Sequence, residues 1–199
     1  YSFRWFFGRI KYMKNVEVEI QVKIEDINKA EERLKEIGIF VKERNQIDKY
    51  FIPPQRDFFE ERDMPNEYLR IRYEKGKNHI NYSFLHFGAD GWLESTDEYE
   101  TLIENPDIVE EIFERINLIL KVVVEKTRKY FDCGDFEVTL DNIKDLGNFM
   151  EIEAKKDFGG VDKTRKACED LLDKLKINYE IKKEMGYPRM LYKQMKNMG

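Results

Sequence analysis

Strict two-residue alternation near the start of the chain constrains its fold more than any other feature. From residue 16 to residue 24, Val16, Val18, Ile20, Val22 and Ile24 are apolar, whereas Glu17, Glu19, Gln21 and Lys23 are polar. Successive side chains of a strand point to opposite faces, so this segment makes a strand with one apolar and one charged face. The same device recurs downstream: Arg70 with Arg72, Glu98 with Glu100, Lys126 with Arg128, and Glu151 with Glu153 each share a strand face. Any one pair is explained by the solvated side of an ordinary antiparallel strand.

The set is harder to explain that way, because the chain also carries amphipathic helices that need a surface to bury against. One opens after Asp26, a good N-cap, stripes Ile27, Ala30, Leu34 and Ile37, and stops at Gly38. A second is predicted over about 107–120, with Ile108, Ile112, Phe113, Ile116 and Ile119 on its stripe, and a third over about 161–175, with Ala167, Leu171 and Leu175. Further strands are predicted at roughly 39–51, 67–75, 78–87, 92–103, 121–131, 134–141 and 146–154. If the helices clothe the apolar strand faces from outside, the charged faces line an interior. The expected architecture is therefore α+β, a closed eight-stranded antiparallel β-barrel with helices packed outside.

A chain of 199 residues, 41% hydrophobic, suits one domain, taken as residues 13–199. Residues 1–12 read as an extension ahead of Met13, although Phe3, Trp5, Phe6 and Phe7 could form a partner contact. Charged residues reach 38% but nearly balance at a formal net charge of −5, which excludes a global field for nucleic acid or an anionic membrane. No apolar run approaches the roughly 20 residues of a membrane span. Cys133 and Cys168 have neither metal spacing nor the density of a secreted disulfide scaffold, and a reducing cytoplasm is expected. The oligomeric state is open between a monomer and a homodimer.

Acids gathered in an interior need counter-charge. Two carboxylates about 5 Å apart repel by about 3 kcal/mol at an effective dielectric near 20. Glu17, Glu19, Glu151 and Glu153 thus call for a hard divalent cation, Mg²⁺ or Mn²⁺, and Arg70, Arg72, Lys126 and Arg128 for an anion. A metal-complexed triphosphate satisfies both.

In order along the chain, Glu17-x-Glu19, Gln46-x-Asp48-x-Tyr50-Phe51, Leu69-Arg70-Ile71-Arg72, Lys126-x-Arg128, Leu140-Asp141, Leu146-Gly147 and Phe149-x-Glu151-Ile152-Glu153 resemble the CYTH, or triphosphate tunnel metalloenzyme, superfamily. That superfamily includes class IV adenylyl cyclases, thiamine triphosphatases and inorganic triphosphatases. The resemblance implies that Glu17, Glu19, Asp141, Glu151 and Glu153 hold metal, with Glu17, Glu19 and Glu153 catalytic. It assigns Arg70, Arg72, Lys126 and Arg128 to phosphate oxygens. The implied substrate is tripolyphosphate, ATP or thiamine triphosphate.

The chain departs from the family pattern at three places. Gln21 replaces the lysine of E-x-E-x-K, with Lys23 one step further on the same face; Tyr82-Ser83-Phe84-Leu85 lacks an expected lysine; and Thr96-Asp97 stands where a base is expected. Three functions stay open: a metal-dependent triphosphatase, an adenylyl cyclase, and a polyphosphate- or nucleotide-binding protein without turnover. His86, beside a missing lysine, and His79, in an expected turn, are read first as structural. The same holds for Cys133, Trp92 and the Phe58-Phe59 pair, while Arg189 and Lys193 are expected on the solvated face of a C-terminal helix after Tyr187-Pro188.

Overall fold

The computed structural model describes residues 18–60, 66–88, 93–181 and 186–198. Expectations that fall on Glu17, Trp92 and residues 1–12 lie outside these segments. The chain runs β1 (Glu19–Ile24), α1 (Ile27–Ile37), β2 (Ile39–Ile52), β3 (Glu67–Glu74), β4 (His79–Phe87), β5 (Leu93–Leu102), α2 (Pro106–Arg115), β6 (Ile119–Cys133), β7 (Phe136–Ile143), β8 (Gly147–Ala154), α3 (Val161–Leu175), β9 (Tyr179–Ile181) and α4 (Tyr187–Met198).

The strands form one nine-stranded antiparallel sheet in the order β5-β4-β3-β2-β6-β7-β8-β1-β9. Eight of them follow the alternation read from the sequence. The ninth, β9, adds to the free side of β1 through Val22 opposite Ile181 and Ile24 opposite Tyr179. Among the described residues β5 and β9 are unpaired edges, so hydrogen bonding does not close the sheet. The α+β class stands, with nine strands in place of eight.

The apolar strand face is covered by helices, as the alternation requires. Ile20, Val22 and Ile24 of β1 join Val138 and Leu140 of β7, Met150 and Ile152 of β8, Ala30 and Leu34 of α1, and Cys168, Leu171 and Leu172 of α3 in one buried cluster. Burying each large aliphatic chain contributes about 1.5–3 kcal/mol. Asp26 caps α1 by accepting from Asn28 N at 2.9 Å and Lys29 N at 3.0 Å, a contribution of about 1 kcal/mol. Gly38 ends α1 in extended backbone, and its hydrogen is required by packing: a Cβ would meet Cys133 Sγ at 2.5 Å and Asp132 O at 2.8 Å.

The second helix is shorter than predicted. It stops at Arg115, Asn117 takes a left-handed φ of 64°, and Ile119 already pairs with Ile52 in the long β2–β6 ladder. Its contact residue is Phe113, edge-on to Phe51 with centroids 5.1 Å apart. Ile108, Ile112 and Ile116 are half exposed instead of buried. The third helix has the predicted bounds. A fourth, α4, buries Tyr187, Met190, Leu191 and Tyr192 against Tyr50, Val122, Val124, Phe149, Phe58 and Phe59. Among the described residues no helix is long and apolar enough to cross a membrane.

Candidate functional site

Register carries the charged residues onto the sheet face opposite the α1–α3 core. Asp48 of β2 lies across from Arg72 on one side and Val124 on the other, and Tyr50 across from Arg70. Arg70 in turn faces Asn81, which faces Glu100. On the other half, Arg128 faces Asp141, Thr139 faces Glu151, and Glu153 lies between Glu19 and Glu137.

Two buried aspartates organise the cations. Asp48, 1% exposed, accepts from Arg72 Nε at 2.5 Å and Nη2 at 2.7 Å, with Arg70 at 3.7 Å and Lys126 at 3.9 Å. Burial alone would raise this carboxyl, but the Arg72 hydrogen bonds and the surrounding cations hold it well below the usual carboxylate range. Asp141, fully buried, accepts from Arg128 Nε at 2.7 Å and Nη2 at 2.5 Å, and from Tyr187 Oη at 2.8 Å. It too is held low: burial opposes ionisation, and Arg128 and Lys126 outweigh it. Arg128 Nη2 also reaches Glu151 at 2.5 Å.

Lys126 joins the two halves. Burial, and next the charge of Arg128, push its ammonium down to about 8, against the pull of Asp141 and Asp48. The Arg70 Nε is buried without a hydrogen-bond partner, as are Asn81 Nδ2 and Gln46 Oε1. A buried donor left unmatched costs about 1–3 kcal/mol, so these atoms mark a place where a ligand can repay the protein.

The structure thus brings together Arg70, Arg72, Lys126, Arg128, Asp141 and Glu151. It places Lys23 over the Phe149 ring, its Nζ 5.8 Å from the centroid. Glu19 and Glu153 sit directly opposite each other on β1 and β8. Among the described residues no three His, Cys, Asp or Glu side chains are gathered tightly enough to hold an ion.

Several residues of this face escaped the sequence reading. Asp48 was part of a quoted motif without a role, although its even spacing with Gln46 and Tyr50 placed it on one face. Glu137 had no marked partner until β7 paired with β8. His79 is a strand residue, 4% exposed, with Nε2 at 3.4 Å from Glu100; burial lowers its pKa and Glu100 opposes this. His86 pairs with Asp97, its Nε2 at 2.8 Å from Oδ2. Arg189 is buried against the Phe59 carbonyl, to which it donates, rather than solvated, because α4 packs on the 58–60 segment; Lys193 is exposed as expected.

Comparison with known proteins agrees with this geometry. The CYTH domain profile matches residues 13–185. A Methanocaldococcus jannaschii protein named as a candidate adenylate cyclase is 33% identical over 162 residues, covering 81% of this chain and 88% of that protein. A solved protein from Pyrococcus horikoshii OT3 superposes with a TM-score of 0.72 at 25% identity, covering 89% of this chain and 99% of its own. A Hippeastrum protein, described as a candidate adenylyl cyclase with a dominant triphosphatase activity, has the same fold, with a TM-score of 0.65 at 16% identity over 90% of this chain and 96% of that one. With charged pairs on one sheet face in the order the family pattern prescribes, and a profile match across nearly all the chain, the protein belongs to the CYTH domain family.

Proposed function

We propose that this protein binds a metal-complexed triphosphate on the charged face of its sheet and hydrolyses it. The observation that carries the reading is Lys126, buried beside Arg128 with its charge depressed, next to the unpartnered Nε of Arg70. The cluster sets Arg70, Arg72, Lys126 and Arg128 against Asp48, Asp141, Glu151 and Glu100, so its charges balance, and a polyphosphate is favoured by the donors left over, the Arg70 Nε above all. The near-complete burial of Asp48, Lys126 and Asp141 supports a sheet that curls around this ligand.

The donor set fits a hard divalent cation. Glu19, Glu153 and Glu137 occupy directly opposed positions on β1, β8 and β7, which sets three carboxylate-bearing residues side by side across the sheet. Glu17, Glu19, Glu151 and Glu153 would hold Mg²⁺ or Mn²⁺, with Glu137 added from the register. When bound, the ion supplies Lewis-acid neutralisation of phosphate charge.

The protein's own contribution is electrostatic. Arg72 and Arg128, each docked on a buried aspartate, present guanidinium edges whose orientation is set before the ligand arrives. Arg70 and Lys126 add two further donors, and Lys23 extends the cationic row toward β1. Water attacks a phosphorus and gives up a proton to bulk solvent, the bond to the bridging oxygen breaks, and the negative charge gathering on the departing phosphate is met by this fixed array.

A second reading is cyclisation of ATP, in which the ribose 3′-hydroxyl attacks the α-phosphorus and pyrophosphate departs. The name of the Methanocaldococcus relative favours it, whereas the activity described for the Hippeastrum protein favours hydrolysis. The test is incubation with Mg²⁺ or Mn²⁺ and tripolyphosphate, ATP or thiamine triphosphate, followed by quantification of phosphate, pyrophosphate and cyclic AMP. Phosphate release abolished by Glu153→Gln establishes hydrolysis. Cyclic AMP with pyrophosphate establishes the second reading, and binding without any product leaves a sensor.

A further inference from the structure

Arg72 and Arg128 are docked in the same way. Each places its Nε and Nη2 on the two oxygens of a buried aspartate, Arg72 on Asp48 and Arg128 on Asp141. Among the described residues nothing accepts from Nη1 of Arg128, so that edge is the one left for a phosphate. Asp141 has a partner that Asp48 lacks: Tyr187, at the first position of α4, donates its hydroxyl to Oδ2 at 2.8 Å. The tyrosine is itself fixed, 6% exposed, with its ring edge-on to Phe149 at 5.1 Å and Lys126 Nζ 5.2 Å from its centroid.

Three protein donors therefore occupy three of the roughly four lone-pair positions of Asp141, and the fourth, on Oδ1, belongs to a side chain with no exposed surface. A carboxylate in that state is committed to orienting a guanidinium and has no lone pair directed at an open site. The family pattern alone would make this aspartate a metal ligand.

We infer that Asp141 and Tyr187 are positioning residues for phosphate recognition. Tyr187 fixes Asp141, Asp141 fixes Arg128, and metal ligation falls to the glutamates. The inference rests on the proposed reading that Arg128 binds triphosphate. It also makes α4 part of the binding site, since the helix supplies the hydroxyl that completes the Asp141 shell.

The experiment measures two affinities on the full chain: tripolyphosphate by calorimetry, and Mn²⁺ alone by electron paramagnetic resonance. Tyr187→Phe, which removes only the hydroxyl, weakens tripolyphosphate binding on the order of tenfold, and Asp141→Asn weakens it at least as much. Both leave Mn²⁺ affinity within about twofold of wild type. Tyr187 also lies within reach of Glu151, so the double variant separates the two carboxylates: it binds no worse than Asp141→Asn alone when the hydroxyl acts through Asp141, whereas an added loss overturns that route. Wild-type tripolyphosphate affinity in Tyr187→Phe overturns the tyrosine's role, and a tenfold loss of Mn²⁺ affinity in Asp141→Asn overturns the aspartate's. If the wild-type protein itself ignores tripolyphosphate but holds Mn²⁺, the functional reading fails, and the inference with it. Should Tyr187→Phe fail to fold, Asp141→Asn alone still decides between orienting acid and metal ligand.

Discussion

Replacing Asp48 by Asn keeps the shape of the side chain and removes one charge from the centre of the cation cluster. The distances set the scale of the effect. At an effective dielectric near 20, the gross attraction of Asp48 to Arg72 at 2.5 Å is about 7 kcal/mol, and to Arg70 at 3.7 Å and Lys126 at 3.9 Å about 4 kcal/mol each. Desolvation of a carboxylate that is 1% exposed offsets several kcal/mol of this. What remains when one partner of a buried pair is deleted is about 3–5 kcal/mol. For a chain of this size that lowers Tm by roughly 6–20 °C. The assay is thermal unfolding by circular dichroism, run with Arg72→Met and the double variant. The double variant is milder than the sum of the singles, because it leaves no unpaired buried charge on that pair. The sign with pH follows from the depressed carboxyl: its contribution is fully present above the unfolded value near 3.9 and fades as pH falls toward the lower folded value. Asp48→Asn unfolding within about 1 kcal/mol of wild type at neutral pH would refute the argument that Asp48 is the counter-ion of the cluster.

Lys126 lies at about 8 in the free protein, and an anion favours its protonated form. Tripolyphosphate affinity accordingly falls as pH rises through about 8, by up to about tenfold per unit, and Lys126→Met flattens the profile; an unchanged slope removes Lys126 from the site. Glu19→Gln and Glu153→Gln each lower Mn²⁺ affinity about tenfold or more in titrations without phosphate, and unaltered affinity in both variants excludes this pair as ligands. Phe113→Ala costs about 3–5 kcal/mol in urea unfolding, since Phe113 is 8% exposed and packs on Phe51, whereas Ile112→Ala, at a residue 51% exposed, costs less than about 1 kcal/mol. Equal losses would mean that α2 docks through its isoleucine stripe after all.

The strands were legible because each buries one face, and burial on one face writes a two-residue period into Val16 to Ile24 and into the Leu69–Arg72 segment. The cations Arg70, Arg72, Lys126 and Arg128 stood out for the same reason. Helical stripes were less secure. Ile116 and Ile119 fit a helix by spacing, yet the β2–β6 ladder claims Ile119, and Phe113 does the packing that the isoleucines were expected to do. Strand β9 spans only Tyr179–Ile181, too short to display any period. Cross-strand neighbours were hidden altogether. Nothing local to Glu137 says that it faces Glu153, and nothing local to Asp141 says that Tyr187 will reach it from α4. Roles that depend on register or on a distant helix become visible only once the sheet is assembled.

The β2–β6 ladder joins parts of the chain that are far apart in sequence: Asn45 and Thr127, 82 residues apart, hydrogen-bond across it at 2.8 Å. Arg70 and Arg72 reach Asp48 from the neighbouring strand β3, but Lys126 and Arg128 arrive only when this distant pairing forms. An unfolded or half-assembled chain therefore has no site to offer, and any ligand of the cluster acts on the native state alone. Saturation at about 100 times its Kd adds about 2.7 kcal/mol to the unfolding free energy. A melting-temperature screen of phosphorylated compounds can rank candidate substrates before any reaction has been observed.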